Sequence, residues 1–151
     1  ALTLATRNPM DIKEYMQGLG RQARAASRLV AAAIEDIRRN YAGLYGVEEL
    51  SERLGVSKSH LVRAFTAALG VSPGRYLTSV RIEAAMRLLL HREYTLDVVA
   101  SLCGFSGANY LCRVFKKETG QSPAQWRALT GRAAQSGLTP EETMREQEMY
   151  I

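Results

Sequence analysis

The sequence predicts an all-α protein in which two similar three-helix units are joined by a long helix. Apolar residues recur at three-to-four spacing along most of the 151 residues, and no segment alternates apolar and polar over the length of a strand. Glycines and Ser-Pro or Asn-Pro pairs stand where helices of this kind stop and start. One pattern (short helix, glycine turn, second helix, Ser-Pro start) occurs twice, offset by about 50 residues.

Asn8-Pro9 supplies a cap and a first-turn proline for an opening helix through Ile12, Tyr15, Met16 and Leu19, which Gly18 and Gly20 are expected to break. Leu29, Val30, Ala33, Ile34, Ile37 and Tyr41 then share one face of a helix whose other side carries Arg28, Glu35, Arg38 and Arg39. Residues 27–41 are expected to brace the unit that follows, because Leu29, Ile34 and Ile37 need a core to cover them. A dimerisation helix or the remnant of an upstream domain are the alternatives.

The next helix is predicted over Val47–Leu54, stopped by Gly55. Ser57 starts another, with Leu61, Phe65 and Leu69 inward and Gly70 at its close. Ser72-Pro73 caps the long helix, which carries Leu77, Val80, Ala84 and Leu88 on one stripe and runs to about His91. Its expected 20 residues would span about 30 Å. Thr95–Cys103 ends at Gly104, Gly107–Thr119 turns Leu111 and Phe115 inward and ends at Gly120, and Ser122-Pro123 caps the helix of Trp126. Gly131–Gly137 reads as a linker, and Thr139-Pro140-Glu141-Glu142 as a capping box opening a short acidic helix. The expected organisation is an extension over 1–26, a first unit with the linking helix over 27–92, a second unit over 93–131 and a tail over 132–151.

The repeat is specific in detail. Val47-Glu-Glu-Leu-Ser-Glu-Arg-Leu-Gly-Val-Ser matches Leu96-Asp-Val-Val-Ala-Ser-Leu-Cys-Gly-Phe-Ser. After one residue inserted at the second turn, Leu61-Val-Arg-Ala-Phe matches Leu111-Cys-Arg-Val-Phe, and Gly70-Val-Ser-Pro with Tyr76 matches Gly120-Gln-Ser-Pro with Trp126. A short helix joined to a second by a tight glycine turn is the helix-turn-helix pattern, whose second helix enters the DNA major groove. Any small helical corner shares that turn, so a single copy decides little. Two copies with the same exposed arginine favour DNA. Successive major-groove faces lie about 34–36 Å apart, so the linking helix can set two reading helices one turn apart within one chain.

Composition narrows the classes. The formal net charge is +5, distributed as +3 over residues 1–46, +4 over 47–131 and −2 over 132–151. A basic surplus upstream of an acidic end is compatible with nucleic acid without establishing it. The apolar content of 46% is that of a globular protein, and no apolar run is long enough to span a membrane. No signal peptide stands out, and Cys103 and Cys112 form neither a disulfide framework nor a metal knuckle. A soluble, cytoplasmic and nucleoid-associated protein is expected. Ala at position 1 suggests a chain cut from something longer, although a stand-alone regulator remains the other reading.

From about Val47 to Thr130 the chain resembles the DNA-binding domain of the AraC/XylS transcription regulators. Arg81-Ile82, Ala85, Leu88-Leu89, Val99-Ala100, Gly104-Phe105-Ser106, Tyr110, Arg113, Phe115-Lys116-Lys117, Gly120, Ser122-Pro123 and Arg127 stand in that family's order and spacing. Trp126 replaces its usual tyrosine, and Leu111 a frequent phenylalanine; both are expected to stay in the core. The resemblance implies two homeodomain-like, three-helix helix-turn-helix units on a long helix, reading adjacent major grooves of double-stranded DNA. It also implies contact with RNA polymerase near promoters, usually as an activator. Family members often have a separate effector or dimerisation domain, for which this chain has no room; oligomers through the extension or such a domain are possible partners.

With Leu61 and Phe65 inward, the opposite stripe is Lys58, Ser59, Val62, Arg63 and Thr66; the repeat maps it onto Ala108, Asn109, Cys112, Arg113 and Lys116. Base contacts are expected from Lys58, Ser59, Val62, Arg63, Ala108, Asn109, Cys112 and Arg113, positions that the resemblance also assigns. Arg63 and Arg113 can pair bidentately with guanine and Asn109 with adenine, while Val62, Ala108 and Cys112 can lie against thymine methyls. Ser57, Thr66, Ser106, Lys116 and Lys117 are read as phosphate anchors, which position without specifying. The plainer readings are phosphate contacts for both arginines, a solvated face for Lys116-Lys117, an unremarkable thiol for Cys112, a core thiol for Cys103 and surface positions for His60 and His91.

Two other classes compete. A protein-interaction module binding polymerase or another regulator would keep the fold without DNA specificity, which the Arg/Lys/Asn stripe argues against. An enzyme, such as a cysteine-based DNA repair activity, lacks support: no Ser/His/Asp group, carboxylate pair, phosphate-cradling loop or metal quartet is present in the sequence. No catalytic residue, metal or cofactor is expected.

Overall fold

The structure, a computed structural model, describes residues 9–43 and 46–136. It consists of seven α-helices and one 3-10 turn, with no strand among the described residues. The helices are α1 (Pro9–Asn40), α2 (Val47–Leu54), α3 (Lys58–Leu69), α4 (Pro73–Leu89), α5 (Leu96–Cys103), α6 (Ala108–Thr119) and α7 (Pro123–Ser136). The chain packs as two units. Among the described residues, 9–39 with 46–74 form the first, and 40–43 with 75–136 the second.

Helix α1 differs from the expectation of a break. It runs 32 residues without interruption, through Gly18 and Gly20. A glycine inside a helix costs about 1 kcal/mol relative to alanine, but it does not stop the helix when strong helix formers flank it and no left-handed turn is required. Pro9 is its first residue, where the missing N–H would have had no helical partner anyway. Val30, Ala33 and Ile37 are buried in the C-terminal part, whereas Arg21–Ala25 are exposed. The bracing face lies on the last three turns.

The core of the first unit contains Val30, Ala33 and Ile37 of α1, Leu50 of α2, and Leu61 and Phe65 of α3. Gly55 ends α2 at φ 70°, in the left-handed region. An ion pair between Arg53 and Asp36 at 3.1 Å ties α2 to α1. Glycines at φ 75°, 87° and 79° likewise end α3, α5 and α6.

Helix α4 is shorter than expected. It has 17 residues, about 25 Å at 1.5 Å per residue, and ends at Leu89. Leu90 and His91 instead continue in turns closed by bonds to the carbonyls of Arg87 and Leu88. Ser72 precedes the helix, so α4 falls short of the expected span at both ends. Burial also exceeds one stripe: Leu77, Val80, Ile82, Ala84, Ala85 and Leu89 are all buried.

In the second unit Ile82, Ala84, Ala85 and Leu89 of α4 join Val99, Ala100 and Cys103 of α5, Phe105 in the turn, Leu111 and Phe115 of α6, and Trp126 of α7 in one cluster. Trp126 and Leu111 are core residues, as expected. The Trp126 ring meets Phe115 edge-on, and its Nε1 donates to the Met86 carbonyl at 3.3 Å. Arg127 closes the end of α4: Nε donates to the Leu89 carbonyl at 3.0 Å, and one terminal nitrogen donates to Tyr94 at 2.8 Å. Helix α7 opens on a reciprocal capping box. Ser122 Oγ accepts from the Gln125 N–H at 3.2 Å, and Gln125 Oε1 accepts from the Ser122 N–H at 2.8 Å.

The 3-10 turn Tyr41–Gly43 packs into this second unit against α5, although it follows α1 in sequence. Arg81 Nε donates to the Tyr41 carbonyl at 3.1 Å. Helix α7 continues through Gly131 to Ser136, where a linker was expected, because Arg-Ala-Ala-Gln consists of good helix formers. The expected capping box at Thr139–Glu142 lies outside the described residues.

Candidate nucleic-acid interface

Each unit presents a short bracing helix, a turn and a second helix with one face committed to the core. On α3 the committed residues are Leu61 and Phe65, and on α6 they are Leu111 and Phe115; all four are completely buried. Residues three and four apart share a helix face, so fixing the inward face fixes the outward one. On α3 this leaves Lys58, Ser59, Arg63 and Thr66 exposed and Val62 half-buried. On α6 it leaves Asn109, Arg113, Lys116 and Lys117 exposed and Ala108 and Cys112 half-buried. All the residues expected on one stripe of each helix are therefore brought together on that stripe.

The two helices start differently, and the inserted residue is the cause. Ser57 is the N-cap of α3, with Oγ accepting from the His60 N–H at 3.1 Å. Its hydroxyl proton is still able to donate outward to an anion. In the second unit the corresponding Ser106 is exposed but does not cap. Gly107 occupies the cap position, with extended backbone and no side-chain bond.

Two side chains already have partners. Lys58 Nζ lies 3.0 Å from Glu48 Oε1 of α2, both largely exposed. Such a pair contributes about 0–1 kcal/mol, so it orients the lysine without fixing it against a stronger partner. The guanidinium of Arg113 lies over the Tyr110 ring, 5.6 Å from its centroid. Neither Glu48 nor Tyr110 was among the expected site residues. For Tyr110 the signal was in the sequence, since an aromatic three residues before an arginine shares its helix face.

The cysteines separate cleanly. Cys103 is buried and part of the core, and burial pushes its thiol up to about 11 against the opposing pull of Arg87 and Arg81. It is a core thiol, as expected, and at neutral pH holds its proton. Cys112 is partly exposed on the α6 stripe. His60 is exposed, and His91 lies in the exposed loop after α4, 3.6 Å from Glu93 and against the Tyr94 ring. No group of three or more His, Cys, Asp or Glu side chains suited to a metal is found among the described residues. No single described helix is long and apolar enough to cross a membrane.

Comparison with known proteins agrees with this geometry. A family model described as a helix-turn-helix domain matches residues 50–129. The chain is 38% identical over 85 residues to the HTH-type transcriptional regulator Rv1931c of Mycobacterium tuberculosis, covering 56% of this chain and 33% of that protein. It is 33% identical over 107 residues to the HTH-type transcriptional activator RhaR of an Enterobacter species, covering 71% of this chain and 36% of that one. Among solved structures, the DNA-binding domain of AdpA, a global transcriptional factor crystallised with a target DNA, aligns with 32% identity and TM-score 0.61, covering 73% of this chain and 96% of that domain. The C-terminal domain of AraT, a response regulator from Geobacillus stearothermophilus, aligns with 33% identity and TM-score 0.63, covering 66% and 84%. This chain spans about a third of the length of the curated relatives it matches. With two helix-turn-helix units, each exposing an arginine-bearing stripe, the chain belongs to the AraC/XylS family of helix-turn-helix transcription regulators.

Proposed function

We propose that this chain is the sequence-reading part of a transcription regulator, and that α3 and α6 each enter a major-groove segment of the same duplex. The observation that carries this reading is the duplicated exposed stripe with an arginine at the same position, Arg63 and Arg113, opposite a fully buried Leu/Phe pair. In this role Arg63 and Arg113 pair with guanine edges and Asn109 with adenine, while Lys58, Ser59, Val62, Ala108 and Cys112 fill the base edges between them. Ser57, Thr66, Ser106, Lys116 and Lys117 hold phosphates and set register. Activation through RNA polymerase is the regulatory outcome we infer, supported by the activator name of the RhaR relative. Helix α4 spans about 25 Å, less than the roughly 34–36 Å between successive groove faces, so its length alone does not set the spacing of the two elements.

Selection from randomised duplexes tests the reading. Two enriched elements about 10–10.5 bp apart are expected. A single enriched element would reduce the chain to one reading unit. No enrichment, with salt-insensitive regulatory activity, would favour a protein-interaction module instead.

A further inference from the structure

Tyr110 and Arg113 belong to a chain of contacts that begins in the core. Phe105 is 7% exposed and belongs to the second unit's apolar cluster, and its N–H donates to the Ala100 carbonyl at 2.9 Å. The Tyr110 ring meets it edge-on, with centroids 5.8 Å apart and planes at 65°. The Arg113 guanidinium lies over that same half-exposed ring, 5.6 Å from its centroid. The repeat pairs these three residues with Val56, His60 and Arg63. No ring contact joins His60 to Arg63 among the described residues.

We propose that Tyr110 is a positioning residue for Arg113 and that it makes base discrimination sharper at α6 than at α3. This rests on Arg113 reading a base edge, as proposed above. An arginine has many rotamers, and restricting it before DNA arrives lowers the ordering cost of the bidentate pair. A free guanidinium facing the wrong base can also swing to a phosphate and recover part of the loss. One held against a ring anchored to the core recovers less, so the wrong base is penalised more. Arg63, without such a ring, tolerates substitution of its base pair better.

The test uses the full chain and the duplex it selects, with a series replacing each base pair in turn. Tyr110→Leu should weaken binding to the selected duplex about three- to fivefold. It should also shrink the penalty at the one base pair that Arg113→Ala relaxes. Tyr110→Phe, which keeps the ring, should stay within about twofold of wild type, and Tyr110→Leu should add nothing to Arg113→Ala. Even losses across all duplexes, losses that multiply with Arg113→Ala, or a Tyr110→Phe variant as weak as Tyr110→Leu would overturn the proposal. Should Tyr110→Leu unfold, Tyr110→Met keeps an apolar cover on Phe105 without a π face and takes its place. If Arg113→Ala relaxes no base pair, the base-reading assignment falls together with this one. If it does and Tyr110→Leu does not, only the positioning role falls.

Discussion

Gly104 is the position where a single methyl group should do the most damage. It ends α5 at φ 87°, and a Cβ there would lie 2.5 Å from the Tyr41 carbonyl oxygen, 3.1 Å from Arg81 Nε and 3.3 Å from the Ala42 carbonyl oxygen. An L-residue in the left-handed region costs about 1–2 kcal/mol. The clash adds about 1–3 kcal/mol, because two of the three atoms are backbone and no rotamer change relieves them. Moving the Tyr41 carbonyl away stretches its bond from Arg81, a further loss of about 1 kcal/mol. Gly104→Ala should therefore cost about 3–6 kcal/mol, a large part of a stability of about 5–15 kcal/mol. Gly120→Ala is the control: φ is 79° but nothing lies within 4 Å, so only the conformational term of about 1–2 kcal/mol applies. Chemical denaturation followed by the fluorescence of Trp126, the chain's one tryptophan, reports on the unit that contains both glycines. Equal losses for the two variants would refute the close-approach argument and leave only the backbone term.

Three further outcomes follow from the same structure. Arg113→Ala should cost about 1–3 kcal/mol on the specific duplex and relax preference at one base pair, whereas Lys117→Ala should weaken specific and random DNA alike and reduce the salt slope by about one; equal behaviour of the two on specific and random DNA would refute the division of roles. Arg127→Ala should lower stability by about 2–3 kcal/mol in the same denaturation assay, since the Leu89 and Tyr94 carbonyls lose a charged donor, and Arg127→Lys should recover less than half because one ammonium cannot reproduce the fork. Cys103 should make the fold lose stability as pH rises from about 9 to about 11: the unfolded thiol releases its proton near 9.0 and the folded one near 11, so the folded state binds more protons in that window and stability falls with pH. A Cys103→Ala chain melted across that window should show a shallower decline, and an unchanged slope would count against the assignment.

Much of this organisation was readable in the sequence because the turn chemistry is local. Gly55, Gly70, Gly104 and Gly120 each end a helix in the left-handed region, and Ser57 and Ser122 cap where the Ser-x-x pattern places them. The exposed stripes followed from the inward Leu/Phe pairs, which needed only helical periodicity. What escaped depends on tertiary context. Gly18 and Gly20 look like breakers, yet the backbone there has no reason to leave the helix. The 3-10 turn at Tyr41–Gly43 crosses into the second unit because Gly104 leaves room for its carbonyls, and no local pattern announces that. Gly107 was visible as an insertion, but its consequence, the loss of a serine cap on α6, shows only once Ser106 is seen one position too early. The partners of Lys58 and Arg113 lie on neighbouring turns or helices, so spacing suggests them without selecting them.

Methylation of guanine N7 along the selected duplex, scored for interference with binding, tests the two-unit reading most directly, because that atom lies in the major groove that α3 and α6 are proposed to enter. Two clusters of interfering guanines on one face, centred about 10–10.5 bp apart, are expected, with Arg63→Ala silencing one and Arg113→Ala the other. A single cluster, or two clusters about half a turn apart on opposite faces, would contradict it.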